Sequence, residues 1–175
     1  IILDMGMPLV NDDGDEFNWF AHRRKSDEAL FSEGVLPRVE GLYRFQERSV
    51  DAVIISHGHQ DHYGFLNFVH PDIPVYLSDG TEKLIEITKA FTLTKIDIRN
   101  PLYFSWKVPF EIGPFTLMPH LVDHSAFSAF AFEVEAEGKR VFYSGDFRGH
   151  GYISARTLDR IYNTVKPDMD ALLME

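Results

Sequence analysis

Cysteine is absent from the 175 residues. A disulfide framework is therefore excluded, and a bound transition metal would need imidazole and carboxylate ligands. Long hydrophobic runs are also missing, since none approaches the roughly 20 residues that a membrane-spanning helix requires. We therefore expect a soluble, cytoplasmic protein that has no membrane partner.

Positive charge is scarce. The chain has 17 Lys and Arg residues against 27 Asp and Glu residues, which gives a formal net charge of −10. Such a balance disfavours broad, sequence-independent binding to nucleic-acid phosphates and argues against a nucleic-acid coat protein. It does not argue against a nuclease, because a bound divalent cation or one local basic patch can still receive a phosphate. The dense basic cluster HRRK at residues 22–25 is interpreted as a solvated loop.

The composition, with 45% hydrophobic and 25% charged residues, is that of an ordinary globular protein. The length suits a single domain over residues 1–175. The chain opens on IILDMG, inside an apolar strand pattern, and closes on DALLME, which reads as another buried strand. We therefore expect a partial domain, truncated at both ends and taken from a longer chain. The sequence is also compatible with a homo-oligomer.

Hydrophobic patterns predict strands alternating with helices. SVDAVIIS is almost continuously apolar, as in a strand buried on both faces. Two hairpins are predicted, with turns at Gly113-Pro114 and Glu137-Gly138. Residues 11–34, near the start of the chain, are polar and show no clear hydrophobic period, which indicates a long surface insertion.

Two helices are predicted from apolar residues spaced three or four apart. The first runs from about Thr81 to Phe91, with Asp79 as its N-cap and with Leu84, Ile87 and Phe91 on one face. The second is ARTLDRIYNTV, which ends before Pro167. The whole pattern predicts a layered α/β fold with mixed sheets.

The stretch SHGHQDHYG places three histidines and an aspartate directly after the apolar strand. Residues two apart on an extended chain point the same way, so His57 and His59 can converge on one ion. The turn that follows brings Asp61 and His62 towards a second position nearby. Imidazole and carboxylate groups are suitable ligands for zinc, and also for manganese or iron.

Two further stretches place a ligand-type residue at a strand end, before small or turn-forming residues. His124 lies in LVDHSAFS and Asp146 lies in FYSGDFRGHG. Both stretches fall where loops gather at one edge of a sheet. They therefore support a metal site formed with the histidine-rich stretch.

These segments, together with IILDMG, resemble in order and spacing the early motifs of the metallo-β-lactamase-fold hydrolases. The resemblance implies an αββα sandwich of two mixed sheets with a dinuclear metal centre at one edge. It implies His57, His59 and His124 at the first metal, Asp61 and His62 at the second, and Asp146 as the bridge. It also implies that Asp4 supports the site by hydrogen bonding, and that one more histidine follows a strand like DALLME. That histidine is not among these residues, so the second site is expected to lack one ligand here, and neither His120 nor His150 is expected to replace it.

Two divalent ions about 3.5–4 Å apart can share a water molecule and convert it to a metal-bound hydroxide near neutral pH. In that scheme Asp61 orients the hydroxide and passes on a proton, and Asp146 sets the spacing of the metals. Tyr63, Ser125 and Arg148 each follow an implied ligand closely and are candidates for contacting an anionic substrate. Local packing or capping is an equally good explanation for each of the three.

The motifs VDHS and YSGDFRGHG resemble the ribonuclease J-like, RNA-processing branch of the family most. This resemblance implies a phosphodiesterase acting on RNA or single-stranded DNA, with two divalent ions, most simply zinc. Two alternatives stay open: a hydrolase of small esters, thioesters or lactones with the same fold, and a non-catalytic metal-binding scaffold.

Overall fold

The computed structural model describes residues 1–11, 13–92 and 96–174. It confirms the layered α/β architecture with two sheets. The strands in these ranges are β1 (Ile2–Leu3), β2 (Val53–Ile54), β3 (Val75–Leu77), β4 (Pro101–Tyr103), β5 (Phe110–Ile112), β6 (Phe115–Leu121), β7 (Phe130–Ala136), β8 (Lys139–Tyr143) and β9 (Ala171–Leu173). The α-helices are α1 (Trp19–His22), α2 (Asp27–Ser32), α3 (Gln60–Tyr63), α4 (Asp79–Phe91) and α5 (Ser154–Thr164).

The first sheet has the strand order β1-β2-β3-β4, and neighbouring strands pair in parallel throughout. This corrects the expectation that both sheets are mixed. Each pair of strands is joined by a long crossover that carries helices, which is the connection that parallel pairing requires. Both Val53 and Ile54 of β2 are fully buried, as the continuous apolar pattern predicted.

The second sheet has the order β5-β6-β7-β8-β9 and is mixed. Its first four strands are antiparallel, and both predicted hairpins are confirmed. At the second turn Glu137 and Gly138 have φ values of 50° and 73°, the backbone of a type I′ hairpin turn. Strand β9 adds in parallel to β8. It was expected to be buried, but Leu172 is 60% exposed because β9 forms the edge of this sheet in the described residues.

Apolar side chains of the two sheets meet in a shared core. Ile54 from the first sheet packs there with Phe130 and Phe132 from β7. Phe104 lies between the sheets and meets the rings of Phe130 and Phe132 edge to face, with ring centroids 5.1 Å from each. These contacts fix the two sheets against each other, and therefore fix the loops at their common edge.

Helices cover the outer faces and complete the αββα sandwich. Helix α4 packs on the first sheet through Ile85, and α5 packs on the second sheet through Ile161 against Phe142. None of the helices in the described ranges is long and apolar enough to span a membrane.

Helix α4 differs from its prediction in its cap and in its buried face. Ser78 is the N-cap and accepts a hydrogen bond from the Thr81 N–H at 3.0 Å, so Asp79 is the first helical residue. Thr81 and Ile85 face the core, whereas Phe91 is 87% exposed. On the buried side the Thr81 hydroxyl donates to the Ser128 carbonyl, and Ile85 belongs to the core cluster.

The stretch expected to be a surface insertion is partly folded into the core. Helix α2 lies within it and is capped by Ser26, whose hydroxyl accepts a hydrogen bond from the Ala29 N–H. Leu30 on this helix is 1% exposed and belongs to the core cluster beneath the first sheet. A helix of six residues is too short to show a clear period, which explains why the pattern failed to predict it.

Candidate metal centre

The histidine loop, residues 56–63, leaves the end of β2 in an extended conformation and then enters α3. His59 is the N-cap of this helix, with φ −96° and ψ 148°. His57 and His59 therefore lie on the extended part, while Asp61 and His62 lie in the helical turn. The change of backbone conformation at His59 separates the four side chains into two groups.

Gly6 allows the chain after β1 to lie directly against this loop. The Met5 N–H donates to the His62 carbonyl at 2.8 Å. A Cβ atom at position 6 would lie only 1.4 Å from the carbonyl oxygen of Asp61. A side chain at this position is therefore incompatible with the observed position of Asp61.

The first cluster contains His57, His59, His124 and Asp146. The Nδ1 atom of His59 lies 3.1 Å from Nε2 of His57 and 3.1 Å from Nε2 of His124. Asp146 approaches the same point, with its Oδ2 atom 3.5 Å from His124 Nε2 and 3.8 Å from His57 Nε2. Three imidazole nitrogens and one carboxylate oxygen thus converge, although His124 and Asp146 are far from His57 and His59 in the sequence.

The second cluster contains Asp61, His62 and Asp146. His62 Nε2 lies 3.1 Å from Oδ1 of Asp146 and 3.7 Å from Oδ2 of Asp61. Asp146 therefore presents one oxygen to each cluster. In both clusters the candidate ligand atoms all lie within 4.8 Å of one another.

Asp4 lies behind the two clusters. Its carboxylate accepts hydrogen bonds from the Ser56 N–H and hydroxyl, both at 2.7 Å, and from the Tyr143 hydroxyl at 2.5 Å. The same carboxylate lies 2.8 Å from His62 Nδ1. Asp4 has a φ of 60°, in the left-handed region that Asp tolerates better than most residues. These bonds join the first sheet, the histidine loop and β8.

The hydrogen bonds of Asp4 also orient one histidine in each cluster. A carboxylate accepts, so Nδ1 of His62 carries the hydrogen and its Nε2 lone pair faces Asp146. The Ser56 hydroxyl donates to Asp4 and can accept from His57 Nδ1, which lies 3.0 Å away. His57 then also presents an Nε2 lone pair to its cluster. This is the arrangement in which a supporting carboxylate fixes the tautomer of a metal-binding histidine.

The pKa values of His57 and His62 are shifted in opposite directions. Burial, together with the neighbouring His62, His124 and His59, lowers the pKa of His57 to about 2, so His57 is neutral at physiological pH. Burial also lowers the pKa of His62, but the hydrogen bond to Asp4 and the charges of Asp4, Asp146 and Asp61 outweigh burial and raise it overall. A neutral imidazole is the form that binds a metal ion.

The donor set fits divalent metal ions. Imidazole nitrogens and carboxylate oxygens converge at two adjacent points, and both clusters are half-buried or buried. His57 Nε2 and His59 Nδ1 face each other. When both present lone pairs, neither can donate a hydrogen bond to the other. A cation between them satisfies these lone pairs together with the Asp146 carboxylate.

The three candidates for substrate contact have different surroundings. The Ser125 side chain is exposed, and its hydroxyl lies 3.5 Å from Nε2 of His59. Arg148 pairs with Asp123, its Nε donating to Oδ1 at 2.9 Å. Tyr63 is only 1% exposed and packs in the core under the first sheet, so the expectation that it contacts substrate is corrected.

Asp123 is a supporting residue that the sequence reasoning missed. It is 4% exposed and accepts hydrogen bonds from Arg148, the Ile153 N–H and the Ser154 hydroxyl. Burial raises the pKa of Asp123, but these hydrogen bonds outweigh burial and leave it below the usual value. Its position directly before His124 was the available signal. Asp123 holds the loop of His124 against the loop that follows Asp146.

The two remaining candidate histidines lie outside both clusters. His150 is exposed. His120 is 7% exposed on β6, and within the described part of the chain its Nε2 atom has no hydrogen-bond partner. The Oε2 atom of Glu133 lies 3.8 Å from that atom. As expected, neither histidine joins the clusters that the described residues form.

His120 leads to a prediction about pH. Burial and the nearby charge of Lys107 lower its pKa, so below about pH 6.5 the unfolded chain binds a proton that the folded chain does not. The free energy of unfolding should therefore decrease as the pH is lowered, by up to about 1.4 kcal/mol per pH unit. The variant His120→Gln lacks this titrating group. Its stability relative to wild type should therefore increase as the pH is lowered from 7 to 5.

Urea unfolding at several pH values checks this prediction. Burial also raises the pKa of Glu133. Because Glu133 is present in both proteins, the comparison removes its contribution except for the coupling to His120, whose Nε2 lies 3.8 Å from Glu133 Oε2. The exposed His150→Gln change is the control and should follow the wild-type pH dependence. Equal pH slopes for wild type and His120→Gln would show that His120 titrates normally in the folded protein.

Comparison with known families gives one match across most of the chain. A family model described as "Beta-lactamase superfamily domain" matches residues 33–174. Among curated proteins, the Ribonuclease J of Sinorhizobium meliloti is 33% identical over 116 residues, which are 65% of this chain and 20% of that protein. The chain spans about a fifth to a quarter of the length of the curated relatives it matches.

Solved structures show the same fold. A protein of unknown function from Enterococcus faecalis V583 has a TM-score of 0.71 and 22% identity, covering 85% of this chain and 40% of that one. A motif mutant of a metallo-beta-lactamase from Cronobacter sakazakii has a TM-score of 0.56 and 16% identity, covering 98% of this chain and 67% of that one. At these identities the likeness concerns the fold alone.

Proposed function

Since the chain belongs to the beta-lactamase superfamily and has the metallo-β-lactamase fold, we propose that it carries the metal centre of a phosphodiesterase acting on RNA or single-stranded DNA. The observation that carries the proposal is the pair of His/Asp clusters that share Asp146. The likeness to a protein named Ribonuclease J supports nucleic acid as the substrate class. The proposal includes a cytoplasmic location.

The proposed cofactors are two divalent metal ions, one for each cluster. His57, His59 and His124 would hold the first, Asp61 and His62 would hold the second, and Asp146 would contact both. Zinc suits this set of nitrogen and oxygen ligands best, and manganese and iron are the alternatives. When bound, such ions supply Lewis acidity, activation of water, and neutralisation of charge on the phosphate. Neutralisation of the phosphate charge would offset the net charge of −10, which by itself would repel a nucleic acid.

The residues around the clusters have separate tasks. Asp61 is partly exposed, with 26% of its side chain accessible, so its carboxylate can accept a proton from an attacking water molecule. Asp146 presents one carboxylate oxygen to each cluster and so sets the distance between them. Asp4 is a positioning residue that fixes the orientation of His62. Ser125, exposed beside His59, is available to donate a hydrogen bond to a phosphate oxygen.

The test is cleavage of end-labelled single-stranded RNA and DNA by the intact protein, with zinc and manganese supplied in turn. The variant Asp61→Asn keeps the size of the side chain but removes its capacity to accept a proton. We expect its kcat to fall by about 100-fold or more. Asp97→Asn, a change at an exposed carboxylate on another part of the surface, is the matched control and should cleave at the wild-type rate.

Two outcomes would contradict the proposal. Turnover of lactones or thioesters without cleavage of RNA or DNA would favour the small-molecule hydrolase. Absence of bound metal, with ligand substitutions that leave the protein's function unchanged, would favour a scaffold role.

A further inference from the structure

A cleft beside the second cluster is not used by the proposed chemistry. It has a volume of about 540 Å³ and lies between the segment after β1 and the segment after α2. Asp61 lines one part of it, so the cleft adjoins the candidate metal centre directly. We call it the Asp61 cleft. Its lining residues include Met7, Phe17, His22, Glu33 and Phe65.

The walls offer a flat surface and apolar contacts. The rings of Phe17 and His22 are stacked, with centroids 5.3 Å apart and planes 11° from parallel. Phe65 is buried, and Met7 packs on the core under the first sheet. A planar, partly apolar group can pack in such a cleft, since aromatic faces favour stacking with other flat rings.

The polar groups of the cleft are mainly hydrogen-bond acceptors. Asp13, Glu33 and Asp61 are among its lining residues. None of the described residues that line the cleft is a lysine or an arginine. Lys25 lies close by, but its ammonium group donates to Glu33 at 2.5 Å. The cleft therefore disfavours a phosphate and favours a neutral group that carries N–H donors.

A nucleobase combines these properties, because it is planar, neutral and rimmed by donors and acceptors. Cytosine and adenine present an exocyclic amino group, which a carboxylate accepts, whereas uracil presents a carbonyl oxygen at the corresponding position. Two facing acceptors repel each other. A carboxylate that faces this position of the base therefore favours cytosine over uracil, although the two rings have the same size.

We propose that the Asp61 cleft binds the nucleobase next to the scissile phosphodiester and prefers bases with an exocyclic amino group, with Glu33 as the discriminating acceptor. The inference rests on the proposed function, because it places a nucleic acid at the metal centre. It adds a specificity that the metal-binding residues do not provide. The phosphate is bound at the clusters, and the base is read in the cleft.

The experiment compares cleavage of oligocytidylate and oligouridylate of equal length by the intact, metal-loaded protein. We expect kcat/KM to be about tenfold higher for the cytidine substrate. Glu33→Gln should bring this ratio close to one, because a glutamine amide donates to uracil as readily as its carbonyl accepts from cytosine. Phe17→Ala should raise KM for both substrates, because it removes the stacking surface.

Glu86→Gln is the matched control. Glu86 is an exposed acidic residue on α4 that pairs with Lys89 at 2.8 Å, as Glu33 pairs with Lys25, but it lies outside the cleft. This variant should retain the wild-type ratio of the two substrates. Its ratio separates reading of the base from a general effect of removing one negative charge.

The two proposals fail in different ways. If wild type cleaves neither oligonucleotide, the proposed function is wrong and the inference falls with it. If wild type cleaves both at equal rates, or if Glu33→Gln leaves the preference unchanged, the phosphodiesterase stands and the base-reading cleft is overturned.

Discussion

Replacing Asp146 with asparagine is expected to remove bound metal from both clusters and to lower hydrolysis by at least about 100-fold. Asp146 is the residue that the two clusters share, with Oδ1 facing His62 and Oδ2 facing His124. An asparagine keeps one oxygen but turns the other position into an N–H donor, which cannot bind a cation. Elemental analysis of the purified variant measures the metal-to-protein ratio, and the oligonucleotide assay measures the rate.

A single-cluster variant separates this shared role from simple loss of a ligand. His124→Ala removes a proposed ligand from the first cluster and leaves the described members of the second cluster intact. It should therefore lose less metal than Asp146→Asn. Equal losses in the two variants would mean that the clusters do not bind independently, and full metal content in Asp146→Asn would exclude Asp146 as a bridge.

The largest effect on stability is expected for Asp4→Asn, with a decrease of about 3 kcal/mol in the free energy of unfolding of the metal-free protein. The Oδ2 atom of Asp4 receives the Ser56 hydroxyl, the Tyr143 hydroxyl and His62 Nδ1. The Oδ1 atom receives the Ser56 N–H. An asparagine keeps only one oxygen, so its NH2 group faces either the Ser56 N–H or the other three donors, and buried donors without partners are costly. Urea unfolding measures the change. The loss of orientation at His62 should also weaken metal binding about 10- to 100-fold.

Tyr143→Phe tests the same hydrogen bonds with a smaller change. It removes one donor to Asp4 and leaves the carboxylate with its bonds from Ser56. We expect a decrease of about 1 kcal/mol, together with metal affinity close to that of wild type. A Tyr143→Phe variant as unstable as Asp4→Asn would show that the hydroxyl, and not the carboxylate, is the critical partner.

The sequence predicted the candidate site better than it predicted its surroundings. The spacing of His57, His59, Asp61 and His62 predicts two groups of side chains because an extended segment and a turn are local geometries. The partners in the other sheet, His124 and Asp146, were proposed from their positions near strand ends and from a family resemblance. The convergence of all six in space is a tertiary property, which only the docking of the two sheets produces.

The predictions that differ most from the structure concern which side chains face the core. Leu84, Ile87 and Phe91 were grouped on one face of α4 because they are apolar. The residues that face the core are Thr81 and Ile85, and Thr81 donates to the Ser128 carbonyl. Tyr63 was proposed as a substrate contact from its position after His62, and it is buried because α3 turns it towards the core. Asp123 was missed because its partners, Arg148 and Ser154, are distant in the sequence. Hydrogen bonds between distant segments leave no periodic signal.

The bond between Asp4 and Tyr143 joins residues that are 139 positions apart. A ribosome adding about 5–20 residues per second needs about 7–28 s to synthesise that interval. Throughout this time the nascent chain exposes Asp4, and later the histidine loop, without the strand that anchors them. Asp146 is synthesised later still, so the two clusters cannot form until both sheets are present. Both clusters are therefore expected to be complete only after most of the domain has folded.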